Sequence, residues 1–265
     1  MKLKVLFFGD IVGKIGRRAI AKILPELKKK HKPDLVLANA ENLAHGIGLT
    51  AKTIEEMKEA GIDYFTSGNH IYKKEMNEEV TQSTGAVVLR PANYPPKAPG
   101  IGEKIIELGV KKVLMVNLIG RVFMSEDFDC PFRKFDEIYE KYKKDNPVII
   151  VDFHAEATSE KIALGHYLNG RAAAVLGTHT HVPTADAQIL SGGTAYISDV
   201  GMVGAYDSVI GVDKKNIIEM FLTQMPLRHE MLEQGKVQIN SVLIEIDAKN
   251  KKAKKIERLD QIVEV

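Results

Sequence analysis

Ala172-Ala173-Ala174-Val175-Leu176-Gly177-Thr178-His179-Thr180-His181 is a short apolar run that stops at a glycine and then delivers two histidines. A run this short, bounded by a turn residue, reads as a strand buried on both faces. The same pattern recurs upstream. Val5 to Phe8 closes in Gly9-Asp10, and Leu35 to Ala38 closes in Asn39-Ala40-Glu41-Asn42. Asp63 to Thr66 leads into Ser67-Gly68-Asn69-His70, and Val148 to Phe153 ends at His154. Lys112 to Leu118 and Ala195 to Ser198 are further runs of this kind. Helical spacing fills the intervals: Ile20, Ile23, Leu24 and Leu27 recur between Gly16 and Lys30, and another helix is expected from about Thr158 to Leu168. Thr50 is placed to N-cap a helix through Ala60, with Gly61 just past its end. Strands alternating with helices predict an α/β core containing parallel strands.

The remaining segments are expected to connect and cover that core. Arg90 to Gly102, rich in Pro and Gly, reads as loop, and a second long loop is expected from Arg121 to Phe132. Gln238 to Ile246 alternates apolar and polar residues, and Asp247 to Lys255 then carries five lysines, which predicts a terminal hairpin with a solvated turn. No repeat or linker interrupts residues 1–265, which are read as a single domain.

Composition narrows the class. The 265 residues carry 37 Lys+Arg against 35 Asp+Glu, a net charge of +2, with 45% hydrophobic residues. That is too apolar for a disordered chain, and too nearly neutral to attract a nucleic-acid polymer or an anionic membrane. An anionic substrate must then be held by a local site. No apolar run approaches the roughly 18 residues of a spanning helix, and the opening Met1 to Phe8 is too short for a signal segment. The single cysteine, Cys130, excludes an internal disulfide or a thiolate metal cluster. The expectation is a cytoplasmic protein with no membrane association.

The polar residues fall where α/β sheets collect ligands, just beyond the carboxyl ends of strands. Five strand ends deliver Asp10, Glu41, the carboxamides of Asn39, Asn42 and Asn69, and four of the eight histidines: His70, His154, His179 and His181. On an extended segment His179 and His181 would face the same side and share a metal site. Nitrogen and oxygen donors without sulfur suit iron, manganese, zinc or cobalt. Six or seven donors exceed the four that one tetrahedral ion needs, whereas two ions sharing one carboxylate would use them all. Two divalent ions would outweigh Asp10 and Glu41, leaving room for a bridging hydroxide and an anionic phosphoester. Other readings fail on particular residues. Gly9 to Lys14 has the wrong glycine spacing for a P-loop, and Ile15 stands where Ser or Thr would hold magnesium. Neither a GxGxxG nor an HExxH motif is present.

The order of these motifs resembles the calcineurin-like metallophosphoesterases, and more narrowly their bacterial YmdB-type phosphodiesterase branch. The segments that carry the resemblance are Gly9 to Lys14, Asn39 to Asn42, Gly68-Asn69-His70, Asn117 to Arg121, His154 to Thr158 and Gly177 to His181. The Asp-x-His usual at the first strand is Asp10-Ile11-Val12 here, and Glu41-Asn42 replaces the usual bridging aspartate. Both departures are shared by the narrower branch. The resemblance implies two packed mixed β-sheets flanked by helices, with the metals at one edge. It implies that Glu41 bridges two ions, that Asp10, Asn42 and His181 complete one site, and that Asn69, His154 and His179 complete the other. The ions would be iron, with manganese or zinc as alternatives. His70, left over, matches the family's general acid.

On this resemblance a hydroxide held between the ions attacks phosphorus in line and His70 protonates the departing ribose oxygen. The implied substrates are 2′,3′-cyclic and also 3′,5′-cyclic nucleoside monophosphates, and a homo-oligomer (dimer or tetramer) is expected. A phosphomonoesterase or nucleotidase on the same site, and a nucleotide-binding regulator with little turnover, are the competing readings. Phe123, Met124, Phe128 and Phe132 are candidates for a base-binding wall or for anchoring their loop, and Arg121 for a phosphate contact or an outward salt bridge. Lys14, Arg17 and Arg18 are read as ordinary surface charges and His45 as a surface-loop residue.

Overall fold

Seven consecutive residues of strand β1 (Lys2–Ile11), Val5 to Ile11, are buried, which requires a strand in the middle of a sheet covered on both faces. The computed structural model, which describes residues 2–74 and 87–265, places it there. On one side β1 pairs in parallel with β2 (Leu35–Asn39), and β3 (Tyr64–Thr66) lies parallel beyond β2. On its other side β1 pairs antiparallel with β12 (Ser241–Asp247) over Lys2 to Phe8, then parallel with β10 (Met202–Ala205) at Asp10 and Ile11. The antiparallel strands β11 (Lys236–Ile239) and β14 (Gln261–Glu264) extend the sheet beyond β10, and β13 (Lys252–Arg258) extends it beyond β12.

The second sheet runs β4 (Glu103–Leu108), β5 (Lys111–Ile119), β6 (Val148–His154), β7 (Ala174–Thr178), β9 (Ala195–Ile197), β8 (Gln188–Ile189). Its four inner strands are parallel and its two edge strands antiparallel. Both sheets are therefore mixed.

The two-residue period of β1 sets the layers. Leu3, Val5 and Phe7 face the second sheet, where Val113, Met115, Ile150, Leu176 and Ile197 meet them. Leu6, Phe8 and Ile11 face outward onto α1 (Gly13–His31) and α2 (Ala51–Ala60). On the far face of the second sheet, Leu114, Val116, Val151 and Phe153 pack on Phe135 and Ile138 of α3 (Pro131–Tyr142) and on Leu164 of α4 (Thr158–Tyr167). The result is helix, sheet, sheet, helix, the calcineurin-like architecture expected from the motifs. In α2 the Thr50 and Thr53 side chains cap the helix reciprocally, and Gly61, at φ 109°, ends it.

Four features depart from the expectation. The alternating segment Gln238 to Ile246 is two strands, β11 and β12. Asn240 divides them by accepting the Met202 amide at 3.1 Å and donating to Asp260 at 3.1 Å. The hairpin turn is short, so Lys252, Lys254 and Lys255 lie on β13 rather than in the turn. Helix α5 (Lys214–Thr223) and strand β4 carry too little buried apolar surface to announce themselves in the sequence. Among the described residues no helix is long and apolar enough to cross a membrane.

Leu176 is fully buried between the sheets. Leu176→Ala is expected to lower the unfolding free energy by about 2–5 kcal/mol, read as a reduced urea midpoint at unchanged slope.

Candidate metal centre

The carboxyl ends of β1, β2, β3, β6 and β7 open onto one edge of the molecule, and glycines bring their backbones together there. Gly9 packs on Gly201 and Gly177 on Ser198 so closely that a Cβ on either would overlap the opposing carbonyl. A Cβ on Gly68 would overlap the Glu41 carboxylate and the His154 ring. Asn117 of β5 donates to the Ser67 and Leu89 carbonyls, each at 2.9 Å, which ties the turn carrying Asn69 and His70 to the second sheet.

Glu41 is the hub. Its Oε2 lies 3.2 Å from His154 Nε2 and accepts the His70 amide at 3.2 Å, while its Oε1 accepts from Asn42 Nδ2 at 3.2 Å. His179 Nδ1 sits 3.0 Å from His154 Nε2, and ligand atoms of Glu41, His154 and His179 all lie within 4.8 Å of one another. Asp10 Oδ2 accepts the His179 amide at 3.1 Å, and Asp10 Oδ1 is 3.9 Å from both His154 Nδ1 and His181 Nε2. His181 Nε2 is 3.1 Å from Asn42 Nδ2, and its Nδ1 is 2.8 Å from the Ile210 carbonyl. His70 Nδ1 lies 2.9 Å from Asn42 Oδ1 and 3.3 Å from Glu41 Oε1. Asp10, Glu41, Asn42, His70, His154, His179 and His181 thus converge, and Asn69 adjoins them on the turn beside Gly68.

The histidine pair converges by a different route from the one expected. His179 and His181 lie past the end of β7, and both have left-handed backbone, with φ of 103° and 64°. The segment is therefore curled, not extended. A conformation this unusual for residues with side chains marks a loop fixed by its surroundings.

Among the described residues the buried side-chain oxygens with no hydrogen-bond partner are that of Asn117 on β5 and two on expected ligands, Asp10 Oδ1 and Asn69 Oδ1. An unmatched buried acceptor costs about 1–3 kcal/mol, and more when charged, so the last two are set up to meet a cation. The donor atoms are carboxylate and carboxamide oxygen and imidazole nitrogen, which suit a hard or borderline metal ion. Electrostatics divide the groups: burial disfavours charge on His154, but Glu41 and Asp10 outweigh it and raise that ring to about 9, leaving a proton that a metal ion would have to displace. Burial raises the Asp10 carboxyl against the pull of His181 and His154. Burial also disfavours charge on Glu41, but His154 and His70 outweigh it and hold that carboxyl well below its usual range. Burial and the neighbouring His154 push His179 down to about 3, keeping its ring in the neutral, ligating form.

A supporting layer lies behind these groups. His154 Nδ1 is 3.0 Å from Thr178 Oγ1, which donates to Asp152 Oδ1 at 2.8 Å. Asn39 Nδ2 donates to Asp152 Oδ2 at 3.1 Å, and the Thr66 hydroxyl donates to the same oxygen. Burial pushes Asp152 up to about 7, although the Thr66 hydroxyl and His154 oppose it. Asp152 was absent from the expected set. Its signal was a lone carboxylate inside the apolar run Val148 to Phe153. His179 Nε2 faces Glu156 Oε2 at 3.1 Å, a second partner the motif reading left without a role.

The flanking candidates divide. Phe128 meets Tyr94 with tilted rings at 4.8 Å and anchors the loop, Phe132 lies on the first turn of α3 and meets Tyr167 edge-on at 5.3 Å, and Phe123 is 85% exposed. Lys14 pairs with Glu233 at 2.8 Å as a surface charge does, whereas Arg17 is largely buried, pairing with Glu56 at 2.7 Å and donating to the Leu43 carbonyl, which corrects its reading as a surface charge. His45 is exposed on its loop.

Comparison with known proteins fits this geometry. The chain is 47% identical to the Bacillus subtilis 2′,3′-cyclic-nucleotide 2′-phosphodiesterase over 97% of this chain and 96% of that protein. Its structure matches the crystal structure of a novel phosphatase from Mycoplasma pneumoniae with a TM-score of 0.92 and 37% identity, covering 100% of this chain and 94% of that one. A 5′-nucleotidase structure from Staphylococcus aureus, named as putative, shares the fold at a TM-score of 0.58 and 12% identity, over 99% of this chain and 54% of the other. The family model described as YmdB-like protein matches residues 6–259, and the chain belongs to that YmdB-like family.

Proposed function

We propose that this protein is a metal-dependent phosphodiesterase that hydrolyses small cyclic nucleotides, 2′,3′-cyclic nucleoside monophosphates first and 3′,5′-cyclic ones as a further substrate. The observation that carries the reading is the convergence of Glu41, His154 and His179 beside Asp10, whose Oδ1 is orphaned. Two ions would be held by Asp10, Asn42 and His181 on one side and by Asn69, His154 and His179 on the other, with Glu41 between. Iron is the favoured metal, with manganese or zinc accepted by the same donors. When bound, such ions supply Lewis-acid polarisation of the phosphoryl group, neutralise its charge and activate the attacking water.

The chain's own groups supply the rest. His70 Nδ1 is engaged by Asn42 and Glu41, which fixes the ring, and Nε2 has no partner among the described residues. Nε2 is therefore the nitrogen that delivers a proton to the departing ribose oxygen, a role commonly worth 10²–10⁴-fold. The hydrogen bonds of Thr178 and Asp152 orient His154, and Glu156 orients His179. The name of the Bacillus relative supports the 2′,3′-cyclic substrate class.

His70→Ala is expected to lower turnover of 2′,3′-cyclic AMP about 10²–10⁴-fold with metal content unchanged by elemental analysis. An ion lost from this variant would make His70 a ligand instead. Glu41→Gln and His179→Ala are each expected to lose metal and activity together. Turnover of 2′,3′-cyclic AMP and bis-p-nitrophenyl phosphate in preference to p-nitrophenyl phosphate is expected from the native protein. A preference for the monoester would replace the diesterase reading with a phosphatase one.

A further inference from the structure

The curled loop between His179 and His181 is held by an ion pair that none of the chemistry above uses. Asp199, just past β9, is 1% exposed, and Lys161 on α4 is 2% exposed; they meet at 2.6 Å. The same Asp199 Oδ2 accepts the Thr180 backbone amide at 3.1 Å and the Thr180 hydroxyl at 2.8 Å. Thr180 is the residue between the two histidines. Asp199 Oδ1 accepts the Gly201 amide at 2.8 Å, and the Gly201 carbonyl in turn accepts the Asp10 amide at 3.0 Å. The Asp199 backbone is itself fixed, since its amide donates to Thr184 Oγ1 at 2.9 Å and its carbonyl accepts the Thr184 amide at 3.0 Å.

A buried ion pair is weak evidence for stability, because desolvating two charges offsets most of their attraction. The destinations of these bonds are more informative. Apart from its own backbone anchor, Asp199 reaches the histidine loop, the turn that supports Asp10, and the helix that follows His154. We propose that Asp199, paired with Lys161, is a positioning residue that locks Thr180 and thereby sets His179 and His181 in their left-handed conformation against Asp10. The two histidines then meet an ion from a preformed loop, without ordering that loop at the moment of binding. The proposal rests on the reading that these histidines are metal ligands.

The test is equilibrium dialysis of chelator-stripped full-length protein against Mn²⁺, alongside the thermal midpoint and amide exchange of the metal-free protein. Thr180→Val removes the hydroxyl that reaches Asp199 and keeps the branched shape. It is expected to weaken Mn²⁺ binding about tenfold, to speed exchange of the residue-180 amide, and to leave the thermal midpoint of the metal-free protein unchanged. Thr180→Ser, which retains the hydroxyl, is expected to bind as the native protein does. Asp199→Asn leaves the Lys161 ammonium uncompensated and is expected to weaken binding further. Thr180→Val binding Mn²⁺ like the native protein, or Thr180→Ser falling as far as Thr180→Val, would overturn the proposal and leave the metal reading intact. A native protein that takes up no Mn²⁺, iron or zinc would overturn both.

Discussion

Two fully buried carboxylates side by side are the constraint around which the rest of the molecule is arranged. Asp10 and Glu41 are at most 1% exposed, and an isolated charge at that depth is far too costly to keep without a partner. Imidazoles supply part of the compensation, yet Asp10 Oδ1 remains unmatched. Such an arrangement is tolerated only where the surrounding framework cannot relax to relieve it. Neighbouring parallel strands of each sheet, closed on one another by glycine contacts, provide that framework.

The layers around the centre divide the work. The intersheet core, with Phe7 against Leu176 and Ile197, fixes the distance between the strand ends. The polar groups behind the histidines fix ring orientation, and they come from different strands: Asn39 and Thr66 from the first sheet, Asp152 and Thr178 from the second. Hydrogen bonds between those strands hold the two sheets in register at the edge where the chemistry would occur. Stability of the fold and accuracy of the site are therefore not separable quantities in this region.

Much of this was legible in the sequence because parallel strands are apolar throughout, so a polar residue at the end of one stands out. Asp10, Glu41, Asn69, His70, His154 and His179 were all found in that way. Asp152 escaped because it lies inside a run, where a single carboxylate looks like an interruption. The curl of the His179 loop was not legible, since alternation in sequence says nothing about backbone that has left the strand. Strand β4 and helix α5 are half-exposed, and their charged residues blur the periodicity that would have revealed them. The split at Asn240 was hidden because the boundary is marked by hydrogen bonds of a single residue, to Met202, Gly9 and Asp260, and not by a turn residue such as Gly or Pro.

The pairing of β1 has a consequence for biosynthesis. Its antiparallel neighbour is contributed by Ser241–Asp247, and its short parallel neighbour begins at Met202. The flank of the strand that carries Asp10 therefore stays unpaired until segments far along the chain have folded onto it. Contacts so distant along the polymer close slowly. An unpaired apolar edge is also where a growing chain is most exposed to adhesion and to chaperone capture. Assembly of the buried carboxylate cluster thus waits on the docking of these distant strands.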